Sequence, residues 1–149
     1  MINSFASSFV INEGGSSSHF DDNAKILIRG YIDYLMSRPK AERSLFALFN
    51  LMSESMESSL ETFEAMATCE GRAGAAANQI SRAGQDERGS ILSTSYRQID
   101  WIGDRNIQQS LSESTFDLND FMRGNMDIFV ILPTDQVKEL TCPSIFIPN

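Results

Sequence analysis

Apolar residues recur at helical spacing through most of the chain. From Ala24 to Leu35 they fall three and four positions apart, which predicts an amphipathic helix. Asp21 and Asp22 suit the positive end of a helix dipole and are expected to open this helix. The pattern ends near Met36, before a proline that cannot continue it. The chain therefore begins its regular structure with one long helix.

A second helical pattern starts after Ser44, a residue type that caps helix N-termini. It continues to Ala67 either as one long helix or as two helices with a kink near Ser58 and Ser59. The spacing predicts that the apolar side chains face inward. They are Leu45, Leu48, Phe49, Met52, Met56, Leu60 and Phe63.

Further helices are predicted downstream. Residues 71–84 are rich in small side chains and indicate a short helix between flexible joints. An amphipathic helix follows over 85–102, and a short one over 106–111. Asp117 is expected to cap a last helix over 118–122. The fold class predicted for this part of the chain is all-α, a compact multi-helix bundle.

The hydrophobic period changes at Asp127. The run from Asp127 to Leu132 is apolar, β-branched and ended by a proline, which is typical of a strand buried on both faces of a sheet. The chain contains no second convincing strand to pair with it. This residual C-terminal strand indicates either an excerpt from a larger α/β protein or pairing with a second copy.

Charge and length narrow the possible functions. Among 149 residues, twelve Lys and Arg face twenty Asp and Glu, and the net charge is −8. That charge argues against a surface that grips nucleic-acid phosphates unaided. No apolar stretch approaches the roughly 20 residues that cross a bilayer, and the start does not resemble a secretory signal. We expect a soluble, reduced, single-domain acidic protein.

An acidic stripe accompanies the second helical pattern. Glu54, Glu57, Glu61 and Glu64 are spaced by three, four and three residues, so all four are predicted to share one helical face. The simpler interpretation is a solvated outer face. The alternative is a protein-docking face for a basic partner, since like charges without interleaved Lys or Arg slightly destabilise an isolated helix.

The most basic part of the chain lies in its middle. Arg72, Arg82 and Arg88, together with Arg97, form a candidate DNA-contact patch. A local patch can act within an acidic protein. Nucleic-acid binding by a helical domain is therefore the alternative function, although the net charge disfavours it.

Catalytic chemistry has little support in this sequence. No glycine is followed by lysine, which excludes a phosphate-binding Gly-x-x-x-x-Gly-Lys loop. His19 has no neighbouring nucleophile, and Cys69 is interpreted as structural although Arg72 lies close in sequence. One His and two distant Cys do not suggest a metal site. We therefore predict no catalytic, cofactor-binding or metal-binding residue and no stand-alone enzyme.

Four segments in order carry a resemblance to a known family. Over about residues 1–140 the chain resembles the type IV secretion coupling proteins, the TraG/TraD/VirD-type conjugative DNA-transfer ATPases. The opening segment also fits that resemblance. The matching segments are Phe46-Ala47-Leu48-Phe49-Asn50-Leu51, Glu87-Arg88-Gly89-Ser90-Ile91-Leu92-Ser93-Thr94, Ser114-Thr115-Phe116-Asp117-Leu118 and Ile128-Phe129-Val130-Ile131-Leu132-Pro133.

The resemblance implies a division of the chain. Residues 1–126 correspond to the all-α domain that receives substrate, and residues 127–140 to the returning strand and start of the ATPase core. Residues 141–149 depart from the family, and the sequence leaves open whether this tail is native. Because the family's Walker A and Walker B motifs would lie outside this segment, ATP and magnesium are implied only for the full-length motor.

The same resemblance implies the partners and the location. They are secreted protein substrates or a relaxase–DNA complex, the other parts of the ATPase hexamer and the secretion machinery. The full-length protein would sit at the cytoplasmic face of the bacterial inner membrane, and this segment would touch no membrane. The expected function is recruitment of relaxosome or effector proteins in conjugative DNA transfer. A purely structural insertion is a further alternative.

Overall fold

A computed structural model describes residues 18–112, 117–127 and 129, and the regular elements among these residues are helical. The all-α prediction is confirmed for this part of the chain. The α-helices are α1 (Ser18–Ser37), α2 (Leu45–Met52), α3 (Met56–Ala67), α4 (Arg72–Arg82), α5 (Gln85–Ile99), α6 (Arg105–Ser112) and α7 (Leu118–Met122). Two 3₁₀ segments, Lys40–Glu42 and Asp100–Gly103, join α1 to α2 and α5 to α6.

The bundle is organised around α1. This helix packs mainly against α4 and α5, and α3 packs mainly against α4. α2 packs against the 3₁₀ helix Asp100–Gly103 and against α1 and α5. The largest fully buried apolar side chains come from five α-helices and that 3₁₀ helix: Leu27, Ile28, Tyr31, Leu48, Phe63, Met66, Ile80, Ile91, Ile99 and Ile102.

Helices α1 and α4 approach closely because both present small residues at their contact. A methyl group added at Gly30 would collide with the Cβ of Ala76. Ala73 and Ala77 on the same side of α4 are also buried. The small side chains that marked this segment in the sequence therefore bring two backbones together, and this contact needs a glycine in α1.

A side chain of α1 caps the start of α4. The N-cap position of α4 is Gly71, whose φ of 85° suits glycine and which has no side chain to accept a hydrogen bond. The carboxylate of Asp33 takes over this role. Its Oδ2 accepts hydrogen bonds from the backbone N–H of Arg72 at 3.0 Å and of Ala73 at 3.2 Å. The negative charge also suits the helix N-terminus.

The second helical pattern forms two helices, separated earlier than the predicted kink near Ser58 and Ser59. Ser53 Oγ donates to the carbonyls of Phe49 and Asn50, and Ser55 Oγ accepts from the backbone N–H of Ser58 at 3.3 Å. Serine side chains that satisfy backbone groups in this way end one helix and start the next.

This break resets the face that α3 buries. The buried positions are Ser59, Phe63 and Met66, so the predicted inward positions Met56 and Leu60 are wrong. Both of these side chains are exposed. The prediction failed because it extended the phase of α2 through the break.

The remaining boundaries lie close to the predictions. α1 begins three residues before Asp21, and the helix predicted to reach residue 102 ends at Ile99 and continues as a 3₁₀ helix. The predicted caps are confirmed: Ser44 accepts from Ala47 N and Asp117 from Asn119 N. The strand predicted from Asp127 to Leu132 falls mostly outside the described residues, which include only Asp127 and Phe129 of that run.

Removing the long-range cap should destabilise the fold. Asp33→Ala leaves two N–H groups of α4 without their acceptor, and we expect a loss of about 1–2 kcal/mol in the free energy of unfolding, measured with urea. Asp22→Ala is the control, since the one ion pair of this exposed carboxylate with a described residue is a 3.8 Å contact with Lys25. It should cost about 0.5 kcal/mol or less. Equal losses in the two variants would contradict the capping role.

Two glycine-to-alanine substitutions should have opposite effects. Gly30→Ala forces α1 away from α4 and should destabilise the protein by about 1–3 kcal/mol, despite the better helix propensity of alanine. Gly89→Ala lies inside α5 with nothing within 4 Å of the new methyl group. It should stabilise the protein by about 0.5–1 kcal/mol. Thermal or urea unfolding measures both, and a neutral Gly30→Ala would argue against the close contact.

Candidate protein-docking face

Helix α3 displays three of the four predicted acidic residues on its outer side. Glu57, Glu61 and Glu64 are exposed and occupy an arc of about 60° around the helix axis. Phe63 and Met66 hold the opposite side of α3 in the core. We call Glu57, Glu61 and Glu64 the acidic face.

Glu54 does not belong to this helical face. It lies between α2 and α3, before the N-cap Ser55, because the chain leaves helical geometry at residues 53–55. Its half-buried carboxylate accepts a hydrogen bond from Thr62 Oγ1 at 3.0 Å, which holds it against the second turn of α3. The stripe predicted for one continuous helix is therefore three residues long, with a fourth carboxylate beside it.

The acidic face forms no ion pair with another described residue. From Ser44 to Gly71 the sequence contains five glutamates and no Lys, Arg or His. The ion pairs found among the described residues are Lys25–Asp22, Arg38–Glu42 and Arg123–Asp120, and none involves α3. Carboxylates spaced by three and four residues repel one another slightly. The face is thus a negative surface that a cationic partner would stabilise.

Exposed apolar side chains lie on α2 and α3. Phe46 of α2 is 46% exposed, and Met56 and Leu60 of α3 are 41% and 37% exposed. Large apolar side chains that are partly exposed are common on protein surfaces when they occur singly. Here Leu60 lies beside Glu57 and Glu64 around the axis of α3, so α3 offers both charge and apolar area.

A groove opens beside these helices, between the end of α1, the 3₁₀ turn Lys40–Glu42 and α2. Its volume is about 350 Å³, and Glu54 and Phe46 are among its lining residues. Arg38, also in the wall, donates from Nε to Glu42 Oε2 at 2.9 Å and lies 5.9 Å from the centre of the Tyr34 ring. The hydrogen bond and charge of Glu42 raise the pKa of Arg38 further above its ordinary value. We call this feature the α1–α2 groove.

Arg88 of the candidate DNA-contact patch already has internal partners. Its guanidinium donates from Nη2 to the carbonyl oxygens of Ser81 at 3.2 Å and Ala83 at 3.1 Å, at the end of α4. Arginine near a helix C-terminus commonly satisfies carbonyls that lack intrahelical partners. The half-buried Arg88 therefore joins α4 to α5.

The other three arginines of that patch occupy different positions along α4 and α5. Arg72 begins α4 and Arg82 ends it, about 15 Å away along the helix axis. Arg97 lies in the last turn of α5, about half a turn around the helix from Arg88. Arg72 and Arg82 therefore do not form one cluster on α4, and Arg88 and Arg97 leave α5 on different sides.

The histidine and cysteine weighed as catalytic groups each lie close to a polar group one helical turn away. His19 lies in the first turn of α1, where its ring is 3.3 Å from Asn23 Nδ2, and Asn23 Oδ1 accepts from Gln79 of α4 at 2.7 Å. The half-buried Cys69 lies near the carbonyl of Ala65 at 3.7 Å. No group of three or more His, Cys, Asp or Glu side chains suited to a metal ion occurs within 18–112 and 117–127.

Comparison with known protein families finds one family whose model matches this chain. The model of the family described as "Type IV secretory system Conjugative DNA transfer" matches residues 2–145, nearly the whole chain. The chain belongs to this family. No curated protein and no solved structure matches it. Among the described residues of this conjugative DNA-transfer protein, no helix has the length and apolar character needed to span a bilayer.

Membership confirms the resemblance seen in the sequence and links the chain to conjugative DNA transfer. The features that sequence reasoning missed are the α1–α2 groove and the separate position of Glu54. The sequence held a partial signal of the groove. Three of its lining residues, Tyr34, Arg38 and Glu42, follow one another at four-residue steps across Pro39.

The negative charge of Glu54 acts on the buried hydroxyl of Tyr31. Tyr31 is fully buried in α1 against Phe63, with ring centres 6.0 Å apart, and its hydroxyl has no hydrogen-bond partner among the described residues. Burial raises the pKa of Tyr31 above its ordinary value of 10.0, and the charge of Glu54 raises it further. The tyrosine therefore binds its proton more tightly in the folded state than in the unfolded state.

Tyr31→Phe tests this environment through the pH dependence of unfolding. At pH 7 the variant should be as stable as the wild type within about 1 kcal/mol, since the lost hydroxyl has no described partner. Above pH 10 the unfolded wild type releases the Tyr31 proton and the folded protein retains it, so the wild type should lose about 1.4 kcal/mol relative to the variant by pH about 11. Tyr34→Phe should retain the wild-type decline. Parallel urea-unfolding profiles for wild type and Tyr31→Phe would contradict the buried position.

Proposed function

We propose that this helical bundle is the substrate-recognition domain of a type IV coupling ATPase, and that it recruits protein substrates for conjugative DNA transfer. The observation that carries the proposal is the acidic face. Glu57, Glu61 and Glu64 project from one side of α3, and no ion pair joins them to another described residue. Family membership supplies the setting, which is DNA transfer through a secretion system.

The charge of the acidic face favours proteins over DNA as its direct partner. DNA phosphates are repelled by carboxylates, whereas a protein that holds DNA must itself carry Lys and Arg. Basic groups of a relaxase–DNA complex or of an effector protein that remain outside any DNA contact would be attracted to the face. Complementary charge of this kind accelerates encounter and selects among partners.

Recruitment, and not ATP hydrolysis, is the role that we assign to these residues. The coupling ATPase would supply ATP and magnesium chemistry from its motor, and the bundle would present substrates to that motor and to the secretion machinery at the inner membrane. The DNA-contact alternative has weaker support. Arg88 is engaged with the end of α4, and Arg72 and Arg82 stand about 15 Å apart along that helix.

Reversing charge on the acidic face tests the proposal. Glu57→Lys combined with Glu61→Lys should weaken binding to the cognate relaxase or effector about tenfold or more, because two attractive interactions become repulsive. The binding constant of wild type should also fall with added salt more steeply than that of the variant. Isothermal titration calorimetry at two salt concentrations measures both effects.

The matched control makes the same change in net charge elsewhere. Asp86→Lys combined with Glu87→Lys alters exposed residues in the first turn of α5 and should leave binding near the wild-type value. Thermal unfolding of both double variants establishes that they remain folded. If the α3 variant binds its substrate as tightly as wild type, the acidic face is only a solvated surface. Salt-sensitive DNA binding unaffected by the α3 variant would support the alternative function.

A further inference from the structure

The α1–α2 groove combines an apolar floor with a defined charge. Leu35 of α1 and Ala47 and Leu51 of α2 supply apolar surface, and the exposed Phe46 adds aromatic surface. Its volume of about 350 Å³ lies at the low end of the range typical of ligand sites. A groove of this size accommodates one or two side chains of a polypeptide, and not a folded domain.

Only one charge in the groove wall lacks an opposite partner among the described residues. Arg38 is neutralised by Glu42 at 2.9 Å, and Arg43 Nε donates to the Arg38 carbonyl at 2.7 Å, which holds this corner in place. Glu54 forms no ion pair with a described residue and accepts one hydrogen bond, from Thr62. The groove therefore presents apolar surface next to an uncompensated, half-buried carboxylate.

We infer that the α1–α2 groove binds an apolar side chain of a substrate polypeptide, with a neighbouring Lys or Arg of that polypeptide paired to Glu54. This inference deepens the proposed function and rests on it. Partial burial favours the pairing, because a carboxylate that is partly shielded from water interacts more strongly with a cation than a fully exposed one. The occupant is thus a short basic segment that contains an apolar residue.

The position of Glu54 connects the groove to the acidic face. Glu54 lies in the link between α2 and α3, and Glu57 follows it in the first turn of α3. A segment whose apolar residue occupies the groove could continue along α3, a helix about 18 Å long, and meet Glu57, Glu61 and Glu64 in turn. The groove would define the register of the segment, and the acidic face would add attraction.

The experiment uses the whole 149-residue chain and short probe peptides. Acetyl-Leu-Ser-Arg-amide is titrated to several millimolar into ¹⁵N-labelled protein, and amide shifts are followed by NMR. We expect saturable shifts at Ala47, Asn50 and Leu51, which line the groove. Acetyl-Gly-Ser-Arg-amide and acetyl-Leu-Ser-Glu-amide, which lack the apolar group or the cation, should bind at least about fivefold more weakly.

Two variants locate the binding. Ala41→Trp places an indole in the groove from the exposed 3₁₀ turn and should abolish the shifts. Glu54→Gln retains an acceptor for Thr62 but removes the charge, and should weaken binding about threefold to tenfold. Glu87→Gln, an equal charge loss on α5, should leave the affinity unchanged.

The outcomes separate this inference from the proposed function. Absent or non-saturable shifts, shifts located away from the groove, or unchanged affinity in Ala41→Trp and Glu54→Gln would overturn the groove assignment. In that case the acidic-face variant could still lose its protein substrate, and the proposed function would stand. Conversely, peptide binding that depends on the groove, together with substrate binding unaffected by the acidic-face variant, would support the groove and reject the acidic face.

Discussion

The bond between the Asp33 carboxylate and the first N–H groups of α4 fixes the arrangement on which the bundle depends. Asp33 is separated in sequence from Arg72 by 39 positions and from Ala73 by 40. The bond therefore sets the point along α1 at which α4 begins. The Gly30–Ala76 contact, one turn earlier on α1, then sets how closely α1 and α4 approach. A polar bond determines the register and a small-residue contact determines the distance. Neither alone would specify both.

The position of α3 follows from this arrangement. The segment that enters α4 comes directly from the end of α3, so a fixed α4 N-terminus holds α3 with Phe63 and Met66 toward the core. The opposite side of α3 then faces away from the described bundle, with its three glutamates. The acidic face is therefore a consequence of the same packing that stabilises the fold, and its exposure does not require a separate explanation.

Interactions between residues close in sequence were predictable, whereas interactions between residues far apart in sequence were not. The caps at Ser44 and Asp117 act on N–H groups two or three residues away, so their residue types were sufficient to place them. Asp33 looked like any polar position on an amphipathic helix, because its partners lie beyond two intervening helices. The break at residues 53–55 depends on serine side chains that a helix also tolerates, and missing it shifted the phase predicted for α3. The role of Arg88 depended likewise on where α4 ends relative to α5.

Charge and groove act over different distances, and this difference explains why a recognition surface would need both. The field of three clustered carboxylates extends over roughly a Debye length, about 8–10 Å near physiological salt, and selects cationic over anionic surfaces without distinguishing one cationic segment from another. An apolar side chain gains free energy only in contact, where it displaces water from a surface of matching size. A basic segment without an apolar residue would be attracted but weakly held, whereas an apolar segment without a cation would meet no attraction on approach. Selectivity for one segment therefore arises where Glu54 adjoins the apolar floor of the α1–α2 groove. At that point the partner must supply a cation and an apolar side chain from neighbouring residues.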